Sequence, residues 1–220
     1  MNRKIACLVI ILLAGFALAA GDDADPVTLH RIAATVATHT YDRAHPPAQM
    51  PATQPDEAGV TVSEFSCIAE VRGQVIDQAE VANGATATVR MASIHITLKL
   101  KIDEWMDQLA PQKIWSHEDG HRDIALFFYR HADQTAEQVA RAWVDQTLTA
   151  TGTDAASAAK KALTNAAQKI TDGYMEQVRD QSELVQEAYD RITAHGTNDV
   201  DEYDAIQQAL AEVAKAHPKN

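Results

Sequence analysis

Residues 94–102 read Ile94-His95-Ile96-Thr97-Leu98-Lys99-Leu100-Lys101-Ile102, apolar and polar side chains in strict alternation. Successive side chains of a strand point to opposite faces, so a period of two puts Ile94, Ile96, Leu98, Leu100 and Ile102 on one side and His95, Thr97, Lys99 and Lys101 on the other. One apolar and one wet face is the pattern of an antiparallel sheet with a single covered side. His95 is then an exposed strand residue. The pattern runs back to about Thr86. A second alternation spans Val60 to Val71, with Phe65, Cys67, Ala69 and Val71 on one face and Glu64, Ser66 and Glu70 largely on the other. Asn83-Gly84 between the two runs supplies the turn chemistry of a hairpin.

Upstream, Pro46, Pro47, Pro51 and Pro55 crowd the stretch from Ala44 to Gly59, which reads as an extended linker. Before it, Ile32, Val36 and several alanines recur at helical spacing, predicting a short helix over His30 to His39. Downstream of Pro111 the period changes from two to 3.6 and stays helical to about Ala216, with Gly152, Gly173 and Gly196 as punctuation. Leu163, Ala167, Ile170, Tyr174, Val178, Val185, Ala188 and Ile192 mark the buried face of a long helix, interrupted near Gly173. A last helix, Val200 to Ala216, packs back on it. The fold expected is α+β: residues 21–59 as N-terminal helix and linker, an antiparallel sheet over 60–102, then helices over 111–216.

Composition sets the surroundings. Of 220 residues, 46% are hydrophobic and 23% charged, the balance of a soluble globular chain. Residues 1–20 begin with Arg3 and Lys4, continue almost wholly apolar from Ile5 to Leu18 and end in Ala17, Ala19 and Ala20, the plan of a cleaved secretory signal. The run is shorter than the roughly 18 apolar residues a membrane span needs. Lys plus Arg number 19 against 31 Asp plus Glu, and removal of the leader takes the balance from 19 − 31 = −12 to 17 − 31 = −14. A surface that acidic argues against nucleic acid and anionic membrane as partners. Cys7 falls in the leader, so the secreted chain carries Cys67 alone and no internal disulfide.

One segment carries chemistry: Trp115-Ser116-His117-Glu118-Asp119-Gly120-His121-Arg122-Asp123-Ile124-Ala125. On a helix, His117 and His121 at i and i+4 share a face and can ligate one Zn²⁺. Glu118 is turned away by one residue, where its carboxylate reaches a zinc-bound water and not the metal, the placement of a general base. Ile114, Ile124, Ala125 and Phe128 continue the histidine face, so the ligands sit half-buried. Gly120 inside a helix costs roughly 1 kcal/mol against alanine and calls for a packing or access reason.

The run His117-Glu118-Asp119-Gly120-His121-Arg122-Asp123-Ile124-Ala125 resembles the His-Glu-x-Gly-His-x-Asp-Ile-Ala signature of an uncharacterised bacterial family described as predicted secreted zinc-dependent proteases (domain of unknown function 922). A second block, Tyr189-Asp190-Arg191-Ile192-Thr193-Ala194-His195-Gly196, is similar to that family's Tyr-Asp-x-x-Thr-x-His-Gly, apart from Ile192, where the family often has an acid. The resemblance covers roughly residues 60 to 200 and implies a zincin-like metallopeptidase domain.

Two histidines leave a tetrahedral zinc incomplete. The position six residues after His121 is Phe127, and His131, ten residues on along a straight helix, is too far to share the ion. The C-terminal block is the better source. His195, at a helix end before Gly196, is the first choice for third ligand and Asp190 the second; Asp190 is alternatively a carboxylate that orients an imidazole. Tyr189 is a candidate donor to a developing oxyanion, with Thr193 a weaker one, and Asp123 reads as a local anchor. The function expected is a secreted or periplasmic zinc metalloendopeptidase acting on peptide or protein, an extended substrate adding to the strand that ends near Ile102. The rival is a non-enzymatic metal-binding or helical interaction protein of the cell envelope.

Overall fold

The computed structural model describes residues 25–52 and 57–217; the leader, with Cys7, lies outside them. The element order is β1 (Val27–Arg31), β2 (Thr35–Tyr41), β3 (Gly59–Val81), β4 (Gly84–Asp107), α1 (Gln112–Arg130), α2 (Ala132–Arg141), β5 (Thr147–Gly152), α3 (Ala155–Met175), a π-helical turn (Glu176–Asp180), α4 (Gln181–Thr193) and α5 (Glu202–Ala216). Among the described residues no helix is long and apolar enough to cross a membrane.

Every strand pairs with β4. The alternation of the quoted stretch holds: Ile94, Ile96, Leu98, Leu100 and Ile102 are buried, and His95 is exposed with Thr28 Oγ1 2.8 Å from its Nδ1. The sheet is nevertheless not the antiparallel sheet that the one-sided pattern predicts. β1 runs parallel to β4, Val27–Arg31 against Ile94–Leu98, and so does β2, Thr35–Tyr41 against Lys101–Asp107. β5 pairs antiparallel, Ala85 opposite Gly152. Alternation reports which face is covered and says nothing of the direction of a neighbour, which here arrives from a distant part of the chain.

The expected helix over His30 to His39 is therefore also corrected. Thr35, Val36, Thr38 and Thr40 are β-branched and lose little in a strand, and their pairing with β4 outweighs a short alanine-assisted helical period. Between the two pairings the chain has three residues (32–34) where β4 has two (99–100), so β1 and β2 are registered separately on β4. The helical reading beyond Pro111 also passed over β5, whose Thr147, Thr149 and Thr151 supply a period of two. The long helical stripe is broken close to the predicted place, after Met175, by the π-helical turn.

The chain divides into two compact units. One holds residues up to Ile32, 66–98 and 133–175; its core includes the Ala158, Ala159, Ala162, Leu163, Ala166 and Ile170 face of α3, with β5 as its sheet partner. The other holds 33–65, 99–132 and 176 onward, and contains all the candidate site residues. In this second unit Ile124 of α1, Val185, Ala188 and Tyr189 of α4, and Ala205 and Ala209 of α5 form the core. On either side of the Pro-rich segment the chain touches the end of β4: Gln108 N donates to Tyr41 O at 2.9 Å and Asp107 N to Ala58 O at 2.8 Å. α1 starts directly after Pro111, whose φ of −64° suits the entry to a helix.

Because Leu98 lies wholly within the core on the strand that all others share, Leu98→Ala is expected to lower the free energy of unfolding by about 2–5 kcal/mol in urea titrations. Lys99→Ala, on the exposed face, should stay within about 0.5 kcal/mol of the parent.

Candidate metal centre

α1 presents His117, Glu118, Gly120 and His121 on its buried side, toward α4. The i, i+4 spacing sets the imidazoles one above the other, ring centroids 4.7 Å apart and planes at 81°. From α4, Asp190 reaches between them. Its Oδ1 lies 3.2 Å from His117 Nε2 and 2.9 Å from His121 Nε2, and the two Nε2 atoms are 3.2 Å apart. These three residues form a group that can hold a metal ion.

The opposite ring nitrogens are also engaged. His121 Nδ1 donates to Gln186 Oε1, one turn before Asp190 on the same face of α4. Thr193 donates its hydroxyl to Tyr189 O at 2.8 Å, so toward His117 Nδ1, 3.3 Å away, it is left as an acceptor. Both imidazoles are thereby held as Nδ1–H tautomers with their Nε2 lone pairs turned inward. Two lone pairs and a carboxylate oxygen at 2.9–3.2 Å repel unless a cation sits among them. One proton relieves part of this; one metal ion relieves all three contacts. The same preference for positive charge governs the titration. Burial works against both groups, yet hydrogen bonds from His117 and His121 when they are also protonated at Nε2 hold the Asp190 carboxyl far below its usual range, and Asp190 holds His121 above the usual imidazole value.

Glu118 faces the same cleft, of about 740 Å³, but is not one of the three donors. Its stem lies against Gly59, and its Oε2 is buried with no hydrogen-bond partner. Burial pushes its carboxyl up, against the opposing pull of His121 and His117. Thr61 of β3 donates to the Glu118 backbone carbonyl at 3.2 Å and ties strand to helix.

Tyr189, the candidate oxyanion donor, is fully buried. Its ring stacks on His117 at 5.0 Å and 9°, and its hydroxyl donates to His117 O at 3.3 Å; burial raises its pKa strongly. This stacking explains Gly120, since a Cβ there would lie 2.2 Å from Tyr189 Oη. His195, the first choice for third ligand, is displaced. α4 ends at Thr193, and Ala194 (φ 47°) and His195 (φ 53°) turn through left-handed conformations, leaving the His195 side chain 66% exposed with Nδ1 3.7 Å from Asp190 Oδ1. Asp190, one turn inside the helix, takes the inward position. Gly196 passes so close to His117 that a Cβ would lie 2.9 Å from the histidine Cβ, and its φ is 72°.

Asp123 is exposed and accepts from Arg122 Nε at 3.1 Å, while Arg122 Nη1 reaches the buried Glu104 at 3.2 Å, as the anchor reading expects. Gln186 went unnoticed in the sequence, although its spacing of four from Asp190 was visible; Thr193 was noticed as a candidate donor, and its place beside His117 Nδ1 was not foreseen. No family model, curated protein or solved structure matches the chain.

Gly120→Ala is expected to destabilise the chain by about 1–3 kcal/mol through overpacking against Tyr189, read as a fall in the thermal midpoint. Thr193→Val removes the acceptor that orients His117 and should weaken metal binding about 10–100-fold in a chelator competition titration.

Proposed function

We propose that this chain is a secreted or periplasmic zinc-dependent metallopeptidase, with His117, His121 and Asp190 as zinc ligands and Glu118 as general base. The observation that carries the reading is the triangle of His117 Nε2, His121 Nε2 and Asp190 Oδ1, with edges of 3.2, 3.2 and 2.9 Å, beside a buried carboxylate whose Oε2 has no partner. Tetrahedral zinc with bonds of about 2.0–2.1 Å has ligand-to-ligand edges of about 3.3 Å, close to this triangle. Two imidazoles and one carboxylate form a common catalytic zinc set, whereas structural sites use four protein ligands, mostly thiolates; three donors leave the fourth position for substrate and water. When bound there, the ion supplies Lewis acidity: it polarises a carbonyl and lowers the pKa of water at the open position toward ~7.

The protein's own groups divide the remaining tasks. Glu118, with its carboxyl pushed up by burial, is tuned in the direction wanted of a base near neutral pH and accepts a proton at Oε2. Gln186 and Thr193 hold the imidazoles in register. Residues 57–63 all line the cleft, although their side chains alternate between two faces. Consecutive residues do so where the strand's edge, and not one face, borders the cavity. β3 pairs only with β4 among the described residues, so its other edge is available to an extended peptide by strand addition. That shifts the expected substrate strand from the neighbourhood of Ile102 in β4, a strand with partners of its own, to the start of β3. The two sequence blocks, His117 to Ala125 and Tyr189 to Gly196, support membership of the secreted zinc-dependent protease family they resemble. The leader supports export.

The mature chain is expected to purify with one zinc, measured by inductively coupled plasma mass spectrometry. Asp190→Ala should lose the metal and His195→Ala should keep it. Glu118→Gln should keep zinc and lose about 10²–10⁴-fold in cleavage of a broad peptide library. Full zinc occupancy without Glu118-dependent cleavage would reduce the chain to a metal-binding protein.

A further inference from the structure

Resting on the peptidase reading, we infer that the cleft selects peptides carrying a lysine or arginine within about three residues of the scissile bond, held by Glu183 and Glu187 of α4. The charged groups lining the cleft are the carboxylates of Glu57, Glu118, Glu183, Glu187 and Asp190 and the guanidinium of Arg179, a balance of 1 − 5 = −4 before any imidazole is protonated. A divalent ion offsets Asp190 and Glu118 at the centre. Of the carboxylates on α4, Glu183 and Glu187 then remain with Arg179 as the one cationic side chain lining the cleft, and Asp180 already holds Arg179 at 2.5 Å while Glu183 stands 3.7 Å from it. Glu187 forms no ion pair among the described residues. Glu183 and Glu187 are i, i+4 on one helix, an arrangement that costs the free protein a few tenths of a kcal/mol through like-charge repulsion.

A second observation points to an incoming polar group. Ser182 lines the same cleft, is 1% exposed, and its hydroxyl has no hydrogen-bond partner; on the opposite wall Ser63 Oγ of β3 is likewise buried and unpartnered. Buried hydroxyls are nearly always satisfied, and an ammonium or guanidinium brings donors to both the carboxylates and these oxygens. Helix geometry gives the reach. Glu187 and Glu183 lie three and seven residues before Asp190, or about 4.5 and 10.5 Å along the axis at about 1.5 Å per residue. An extended peptide advances about 3.3 Å per residue, so the two carboxylates face positions between one and about three residues from the metal.

The test separates binding from turnover. Zinc-loaded Glu118→Gln is titrated with fluorescent extended decapeptides in which a single lysine, glutamine or glutamate is scanned along an otherwise uncharged sequence. The lysine peptide of best register is expected to bind roughly threefold to tenfold tighter than its glutamine counterpart, and the glutamate peptide more weakly, with the gap shrinking as salt is raised. Glu183→Gln combined with Glu187→Gln should bring the lysine-to-glutamine ratio near one, and Glu187→Lys should turn the preference toward glutamate; retained zinc stoichiometry checks that each variant is folded. With active enzyme, cleavage sites should map within three residues of the lysine. Lysine and glutamate peptides bound alike, or a lysine preference that survives the double substitution, would overturn the inference and leave the peptidase reading standing. Full zinc occupancy with no peptide bound or cleaved would overturn both.

Discussion

The contact on which the site depends is the face of Tyr189 lying flat against His117. It exists because Gly120, one turn below, has no side chain: any Cβ there would occupy the place of the phenol oxygen. With the ring seated, the register of α4 on α1 is set. A step of one residue along α4 turns the helix by about 100°, so placing Tyr189 against His117 also decides where Asp190, Gln186 and Thr193 point. Asp190 arrives between the two Nε2 atoms, Gln186 at one Nδ1 and Thr193 at the other. A glycine that costs helical stability thereby positions the carboxylate and both orienting groups.

Cys67 is a free cysteine, and a metal ion held by His117, His121 and Asp190 would supply a long-range tie of the kind a disulfide otherwise gives. His121 and Asp190 are 190 − 121 = 69 residues apart, a loop whose closure restricts the unfolded chain substantially. Because the ligands must be deprotonated and brought together to bind, part of the metal affinity becomes folding free energy. The packing of Ile124 against Val185, Ala188 and Tyr189 brings α1 and α4 together independently of the ion. By that division the fold would precede the metal, and three protein donors would leave a fourth coordination position open.

The parts of the structure legible in the sequence were those with a local cause. Ile94 to Ile102 announced a strand with one buried face, and His117-Glu118-x-x-His121 announced two imidazoles on one helix face with a carboxylate beside them by helical spacing alone. What could not be read was set by partners distant in the chain. The direction of β1 and β2 is decided by hydrogen bonds to residues 94–107, more than sixty positions away, and an amphipathic pattern is the same for parallel and antiparallel neighbours. Thr35, Val36, Thr38 and Thr40 did carry a β signal, which the spacing of Ile32 and Val36 masked. The choice between Asp190 and His195 turned on where α4 stops. A helix continuing one more turn would have carried His195 round with it; the stop at Thr193 leaves Asp190 as the inward group.

That stop gives the Tyr189 to Gly196 block its physical sense. Two successive non-glycine residues with positive φ, Ala194 and His195, cost about 1–2 kcal/mol each, so the turn must be held by compensating contacts. Five hydrogen bonds hold it: His195 N to Asp190 O, Asn198 N to Thr193 O, Asn198 Nδ2 to Ile192 O, and both Thr197 N and Thr197 Oγ1 to Ala194 O. They satisfy carbonyls that the helix end would otherwise leave unpaired. The turn brings Gly196 against His117 on a side where no larger residue fits, so His117 is enclosed by Tyr189 on one ring face and by the returning chain at its Cβ. Within the block, Tyr189 packs, Asp190 faces the metal position, Thr193 orients an imidazole and Gly196 closes the wall. His195 is left at the mouth of the cleft, beside the carboxylate and outside the ligand set, where an exposed imidazole meets whatever enters.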